Sequence, residues 1–273
     1  SATGDSQLSI SDGDGGTTWI TGTEAGVVNI PGSLTVAGSA VGGATSLDGL
    51  SDVNLALNHS VYYGNSITHD NANYNTALGS TALDSVTTGS GNTCIGATAG
   101  TAITTSTNQI LVGTEVGNAM TEGATHNIVV GSSAGTGTFD GASYNIGVGS
   151  FCLRGVTSGD QNIAIGGWAM QESTTGSDNV AVGYQALKEN LTASNNIGIG
   201  AYALVNNTTG TRNIAIGYRA LDTPDTESDN IAIGYDALGG AVAGGEMNVA
   251  IGNYAGDAIT SAPMCVLIGH SAG

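Results

Sequence analysis

The sequence has little positive charge, little proline and few aromatic side chains. Lys and Arg together number 4 in a chain of 273 residues, against 22 Asp and Glu, so the formal net charge is −18. Four basic side chains cannot neutralise a nucleic-acid backbone or hold an anionic membrane surface, which excludes both partners. No apolar run approaches the roughly 18 residues of a membrane span. With 3 prolines and no glycine at every third position, the chain is not a collagen either.

Cysteine is also scarce. The three cysteines, Cys94, Cys152 and Cys265, form an odd and widely spaced set. Such a set is not a disulfide framework for a chain of this length, and it leaves the redox compartment open. The chain begins Ser-Ala-Thr, and we expect it to be a processed form or a part of a longer protein.

Glycine, in contrast, is abundant, with 45 residues, and it marks an internal repeat. From about residue 60 onward one phrase returns: an Asn, a β-branched residue, a small residue, an aliphatic residue and a Gly. The closing glycines lie at positions 64, 79, 96, 113, 131, 149, 166, 183, 200, 217, 234, 252 and 269. Most successive copies are 17 residues apart. Self-similarity at a fixed period indicates that each copy is one structural unit.

The alternation of large and small apolar residues within each phrase predicts a short β-strand. We expect its two aliphatic side chains to face the core and its small residue to face outward. An Ala three residues after the Gly, as at Ala186-Leu187, predicts a second, shorter strand with a small outward face. One unit cannot bury its aliphatic pair alone, so the repeat predicts an all-β, parallel β-solenoid of about 17-residue coils. We expect the small faces to meet between subunits of an obligate oligomer.

The Asn and Gly columns predict how the coils stack. The Gly supplies the positive φ of a sharp corner, and stacked Asn amides donate and accept hydrogen bonds along the axis as a ladder. From Gly79 onward, Gln109 and Cys265 replace the Asn in two copies. The predicted structural Asn ladder contains Asn162, Asn179, Asn196, Asn213, Asn230 and Asn248.

The phrase N-[IV]-A-[IV]-G-x-x-A-L/G, as in Asn162–Gly166 and Asn179–Gly183, resembles repeats of phage tail-fibre proteins that lie upstream of an intramolecular chaperone domain. It is also similar to the head repeats of trimeric autotransporter adhesins, whose period is shorter, and the longer period favours the phage group. The resemblance implies a homotrimeric fibre of left-handed parallel β-rolls, located in the virion (tail fibre) or on an extracellular surface.

Three regions follow from the change in pattern along the chain. Residues 1–44 contain short strand signals split by Pro-Gly and Gly-Ser turns, and they predict a small N-terminal β connector or a cap. Residues 45–59 form a transition segment, and residues 60–273 form the solenoid shaft. The segments Gly32–Gly38 and Ser46–Val53 are similar to segments of phage fibres, which implies contact with other virion or fibre proteins at the N-terminus.

Aromatic side chains cluster just after the glycine column, at Phe151, Trp168, Tyr184, Tyr202, Tyr218, Tyr235 and Tyr254. The candidates for surface contact are Trp168, Tyr184, Tyr202, Tyr218 and Tyr235. A line of rings on a rod is suited to binding a host surface glycan or protein. The alternative is that the rings shield the edge of the rod or pack between subunits.

No catalytic or metal-binding pattern stands out. Gly131–Gly135 and Gly269–Gly273 match the G-x-S-x-G nucleophile pattern, but other copies hold Gln185 or Asp236 in place of the serine. The four histidines share neither a column nor a metal-ligand spacing. We therefore predict no enzyme and no cofactor, while an ion on a threefold axis stays an open alternative.

The sequence thus favours a structural trimeric fibre protein of a phage tail or virion appendage, acting as a rigid shaft for host attachment. The alternative is the head of a bacterial surface trimeric adhesin that binds the host surface directly.

Overall fold

The computed structural model describes residues 74–223, 226–240 and 245–273 in full, together with the backbone of seven short strands that precede them. These strands are β1 (Ile10–Ser11), β2 (Thr18–Gly22), β3 (Val28–Asn29), β4 (Leu34–Val36), β5 (Ser39–Val41), β6 (Val53–Ala56) and β7 (Ser60–Tyr63). Strands β1–β3 form one antiparallel sheet and β4–β5 form another. Strand β7 pairs antiparallel with β6.

Twelve further strands, each three residues long, stack in sequence order. They are β8 (Thr76–Leu78), β9 (Thr93–Ile95), β10 (Ile110–Val112), β11 (Ile128–Val130), β12 (Ile146–Val148), β13 (Ile163–Ile165), β14 (Val180–Val182), β15 (Ile197–Ile199), β16 (Ile214–Ile216), β17 (Ile231–Ile233), β18 (Val249–Ile251) and β19 (Val266–Ile268). Every neighbouring pair is parallel and in register, so that Ala164 lies beside Ala181. With β6 and β7 they form one 14-stranded sheet.

These strands bound eleven coils of about 17 residues, which confirms the predicted parallel β-solenoid. Adjacent strands lie about 4.8 Å apart, so the stack from β8 to β19 is roughly 53 Å long. Residues 64–73, which include the first closing glycine of the repeat, lie outside the described residues. A helix that could span a membrane is not found among the described residues.

The turns of each coil are also bonded to the next coil. Gly183 N donates to Ile165 O at 2.8 Å, Leu187 N donates to Ala203 O at 2.9 Å, and Thr174 N donates to Leu191 O at 2.8 Å. Backbone hydrogen bonds therefore join successive coils around their circumference and not only along the sheet. This arrangement satisfies the backbone groups of a coil that has very little regular secondary structure.

The core contains small residues, and the predicted orientation of the strands is wrong. Ala164 and Ala181, at the strand centres, are fully buried, whereas Ile165 is 41% exposed. The interior of the coil is narrow: a methyl group added at Gly198 would lie 3.3 Å from Leu187 Cγ. A strand facing a leucine at this distance has room for Ala, Gly or Cys inside, so its Ile and Val side chains point outward.

The predicted second strand does not form in the described coils. Ala186 and Leu187 lie in a turn, and both are fully buried instead of presenting a small face outward. Leu187 has φ 50°, a left-handed conformation that breaks an extended strand. The same turn places the leucine side chain inside the coil, where it packs beneath the strands.

Candidate functional site

The most extensive surface feature is a strip of outward-facing aliphatic side chains. We define the aliphatic strip as the first and third residues of β8–β19, all of which are Ile, Val or Leu except Thr76 and Thr93. The third residue of the strand is the more exposed one in most coils, for instance Ile199 at 38%, and first residues such as Ile197 are partly buried. The strip is roughly 53 Å long and about 10 Å wide, on the order of 500 Å² per chain. The largest apolar patch on a typical monomer is about 300 to 600 Å², and patches of that size are often functional.

A line of aromatic rings follows the last eight copies of the repeat. We define the ring ladder as Phe151, Trp168, Tyr184, Tyr202, Tyr218, Tyr235, Tyr254 and His270. Each ring contacts the next with centroids 5.3 to 5.9 Å apart. The structure therefore brings together all seven aromatic residues of the cluster seen in the sequence, including the five candidates for surface contact, and it adds His270.

The rings of the ring ladder come from two adjacent positions of the repeat. The ring comes from the first residue after the Gly, as in Tyr184 and Tyr218, or from the second, as in Trp168 and Tyr202. Each of these eight copies holds one ring in these two positions, and the first four described copies hold none. Counting histidine as a ring in each copy would have added His270 to the cluster seen in the sequence.

The buried asparagines connect each coil to the next mainly through the backbone. Asn179 Oδ1 accepts from the backbone N–H of Asn196 at 2.9 Å, and Asn179 Nδ2 donates to Ala193 O at 2.9 Å. Asn162 and Asn179 are also joined through their side-chain amides at 3.0 Å. Equivalent Oδ1 bonds to the next coil's backbone begin at Asn162, Asn196, Asn213, Asn230 and Asn248. Each asparagine therefore pairs two backbone groups that lie outside the strands: an N–H just before the strand of the next coil and a carbonyl in the turn that precedes it.

A second polar column runs in the opposite direction, and the sequence interpretation missed it. Its residues lie two positions before the Asn column. Ser143 N donates to Asp160 Oδ1 at 2.7 Å, and Asp160 N donates to Ser177 Oγ at 3.0 Å. The signal was present, because this position holds Ser, Thr, Asp or Glu in every copy from Ser90 to Glu246.

The few basic side chains are largely engaged by local acids. Lys188 lies between Glu172 and Glu189, with N–O distances of 3.6 and 3.2 Å. Hydrogen bonding to Glu189 raises the pKa of Lys188. The exposed Arg212–Asp229 pair, at 2.7 Å, lowers the pKa of Asp229 through its hydrogen bond.

Asp222, the acidic partner of Arg219, is more buried than the other acidic partners. Arg219 bonds Asp222 at 2.6 Å, but the Asp222 carboxyl is largely buried, and burial raises its pKa despite the arginine.

The two serines of the G-x-S-x-G matches lie on the solenoid surface. Ser133 donates to Glu115 Oε2 at 3.0 Å, and Ser271 Oγ lies 2.9 Å from Nδ1 of its exposed neighbour His270. In the described part of the chain, no carboxylate bonds to His270. A search of the same residues finds no group of three or more His, Cys, Asp or Glu side chains placed to hold a metal ion.

Two of the three cysteines should resist alkylation in the folded protein. Cys94 and Cys152 are fully buried, and burial raises the pKa of the Cys152 thiol to about 12 and raises that of Cys94 as well. The thiolate is the reacting form, so iodoacetamide at pH 8 is expected to modify Cys265 about 100-fold faster than the other two. Peptide mass spectrometry of the native and the guanidinium-unfolded chain measures this. Equal labelling of all three thiols in the native chain would contradict the buried positions.

No protein-family model, curated protein or solved structure matches this chain. The geometry alone therefore defines its class: the described residues form a β-solenoid repeat protein with an apolar strip along one side and a ladder of rings.

Proposed function

We propose that the chain is the shaft of a homotrimeric fibre in a phage tail or other virion appendage, and that it serves host attachment. The observation that carries this proposal is the aliphatic strip, whose side chains are exposed or partly exposed in every coil of the stack. Three copies lying parallel would bury their strips against one another around a common axis. The hydrophobic effect then supplies the association energy that the narrow coil interiors lack.

The number of copies and the virion setting rest on the resemblance of the repeat phrase to trimeric fibres. The mode of association differs from the one expected from the sequence, because the small strand residues are inside the coils. In this proposal Ile165 and Ile199 meet their equivalents in the partner chains, whereas Ala164 and Gly198 face the interior of their own coil.

The hydrogen bonds between coils also suit a stiff shaft. Successive coils are joined by the sheet, by the turns and by two polar columns, so bending the rod strains hydrogen bonds on every side. The four Lys and Arg residues offer few sites to trypsin-like proteases. The net charge of −18 keeps neighbouring fibres apart.

Charge placed on the aliphatic strip should dissociate the oligomer. The double variant Ile199→Lys/Ile216→Lys puts two ammonium groups where the apolar contacts would form, and sedimentation equilibrium should find at least a tenfold weaker association. The matched control is Gln161→Lys, at an exposed position whose column already holds a cation, Arg212, three coils later. A monomeric or dimeric wild-type chain would refute the trimer. A double variant that stays as fully assembled as the control would refute the strip as its interface.

The alternative is an adhesin head that itself binds the host surface, and the exposed ring ladder is the observation that favours it. Sequencing the reading frame around this segment separates the two. A chaperone-like domain downstream would support the phage fibre, and a hydrophobic membrane-anchor segment would support the adhesin.

A further inference from the structure

We propose that the ring ladder binds a linear, uncharged polysaccharide along the axis of the rod. This inference rests on the proposed function, because it requires a rod whose outer surface meets a target. It goes beyond that function by naming one surface and one class of ligand.

The rings leave part of their surface free. Tyr184 and Tyr218 are 42% and 43% exposed. Tyr184 meets Trp168 and Tyr202 edge to face, with interplanar angles of 71° and 70°. In an edge-to-face pair only one of the two rings is covered on its face by the other, so such a run leaves ring faces uncovered. Sugars present their C–H groups to flat, apolar surfaces of this kind while their hydroxyls stay polar.

A polar residue lies directly beside the ring in the sequence in six of the eight ring-bearing coils. Where the ring takes the first position after the Gly, the second position holds Gln185, Arg219, Asp236 or Ser271. Beside Tyr254 the ring takes the second position, and Asn253 holds the first. Amide and carboxylate groups next to rings are the usual donors and acceptors for ligand hydroxyls. Gly167 and Ala201 take this place beside Trp168 and Tyr202, so a ring recurs in every coil and a polar neighbour in six of the eight. A surface that repeats in this way suits a repeating ligand.

The negative charge of the chain favours an uncharged polysaccharide over an anionic one. The chain carries −18, and three of its four cations are already paired, at Lys188, Arg212 and Arg219. The fourth, Arg154, lies 6.0 Å from the centre of the Phe151 ring. An anionic polymer would therefore meet a repulsive field with no free cluster of cations to offset it. An uncharged polymer meets no such penalty.

A second copy of the chain is the other possible occupant, and the extent of the ring ladder argues against it. The aliphatic strip runs from β8 to β19, whereas the first four described copies have Ser, Thr, Ala or Glu at the ring positions. Coils without rings carry the same strip, so the rings are not a requirement of packing between chains. The rings occur only in the last eight of the described copies of the repeat.

The test is affinity electrophoresis of the full chain in gels containing dextran, mannan or laminarin, with dextran sulfate as the anionic counterpart. We expect at least one uncharged polymer to retard the chain and dextran sulfate not to. The triple variant Tyr184→Ser/Tyr218→Ser/Tyr235→Ser should weaken binding at least tenfold. Serine is already present at this position in Ser80 and Ser132, so the coils should tolerate it.

Two controls make the result specific. The ring-preserving triple variant Tyr184→Phe/Tyr218→Phe/Tyr235→Phe should bind within about threefold of the wild type. Tyr144→Ser removes an exposed ring that stacks on His126 away from the ring ladder, and it should change nothing. In a Trp19→Phe background, the remaining Trp168 should report binding through a shift of its fluorescence.

Each outcome decides one of the two proposals. Failure of all three uncharged polymers to retard the chain, or unchanged binding by the serine variant, would overturn the polysaccharide site and leave the fibre intact. Loss of the trimer in the serine variant would assign the rings to contacts between chains and would also overturn the site. A monomeric wild type that still binds through its rings would refute the fibre and keep the site.

Discussion

Replacing Gly183 by alanine should lower the free energy of unfolding of the solenoid by about 3 kcal/mol or more. Gly183 has φ +139°, a conformation that residues with a Cβ rarely adopt. A Cβ built there would lie 2.5 Å from the carbonyl oxygen of Gly200 in the next coil. That oxygen belongs to the backbone, so relief requires the two coils to separate. Guanidinium unfolding followed by circular dichroism, at one protein concentration, measures the loss.

Two other glycines separate the causes of this loss. Gly269 has φ +130°, but a Cβ added there would meet no atom within 4 Å, so Gly269→Ala should cost the backbone strain alone. Gly141 has φ +72° and equally open surroundings, and Gly141→Ala should cost about 1 kcal/mol. If Gly183→Ala and Gly269→Ala cost the same, contact between glycines of successive coils does not set the requirement.

Asn179→Leu should cost about 2 to 3 kcal/mol, although the two side chains are similar in size. The backbone N–H of Asn196 loses its acceptor at 2.9 Å in a fully buried place. Ala193 O loses one of its two side-chain donors, since Asn190 Nδ2 still donates to it at 2.8 Å. An unpaired buried donor costs more than the bond itself contributes, and leucine in this column cannot replace it. The same unfolding assay measures the change.

Gln109 stands in the Asn column of one coil, so restoring Asn there tests the same hydrogen bond in the opposite direction. Gln109 Nε2 donates to Ala124 O at 2.8 Å, but Gln109 Oε1 is buried and has no hydrogen-bond partner among the described residues. Gln109→Asn restores the residue found in most other coils, and we expect it to stabilise the solenoid by about 1 kcal/mol. A loss of stability on this substitution would mean that the column does not act through its oxygen atoms.

Much of the fold follows from the sequence because the repeat leaves few alternatives. Copies such as Asn162–Gly166 and Asn179–Gly183, one period apart, can bury themselves only by stacking in register. The orientation of each strand was not accessible in the same way. Alternation of Ile163, Ala164 and Ile165 shows that two faces differ, but it does not show which face is inside. Hydrophobicity alone predicts that the isoleucines are buried. The interior of the coil is so narrow that the alanine is buried instead.

The surface features show the same division. The columns of Asn179 and Gly183 were visible because one residue type recurs at one position. The ring ladder was visible only in part, since Trp168 and Tyr184 come from adjacent positions and meet only when the coils are stacked. The Ser143–Asp160–Ser177 column mixes residue types that share only an acceptor oxygen, so residue identity alone hid it.

By itself, then, the sequence determined the period, the strand in each copy and the parallel stack, because these depend on recurrence along the chain. Only the tertiary structure decided that the aliphatic side chains lie outside and that rings from two positions form one ladder. The reason is physical: which side of a strand is buried depends on the space enclosed by the closed coil, and that space exists only after the turns have brought Leu187 beneath the sheet.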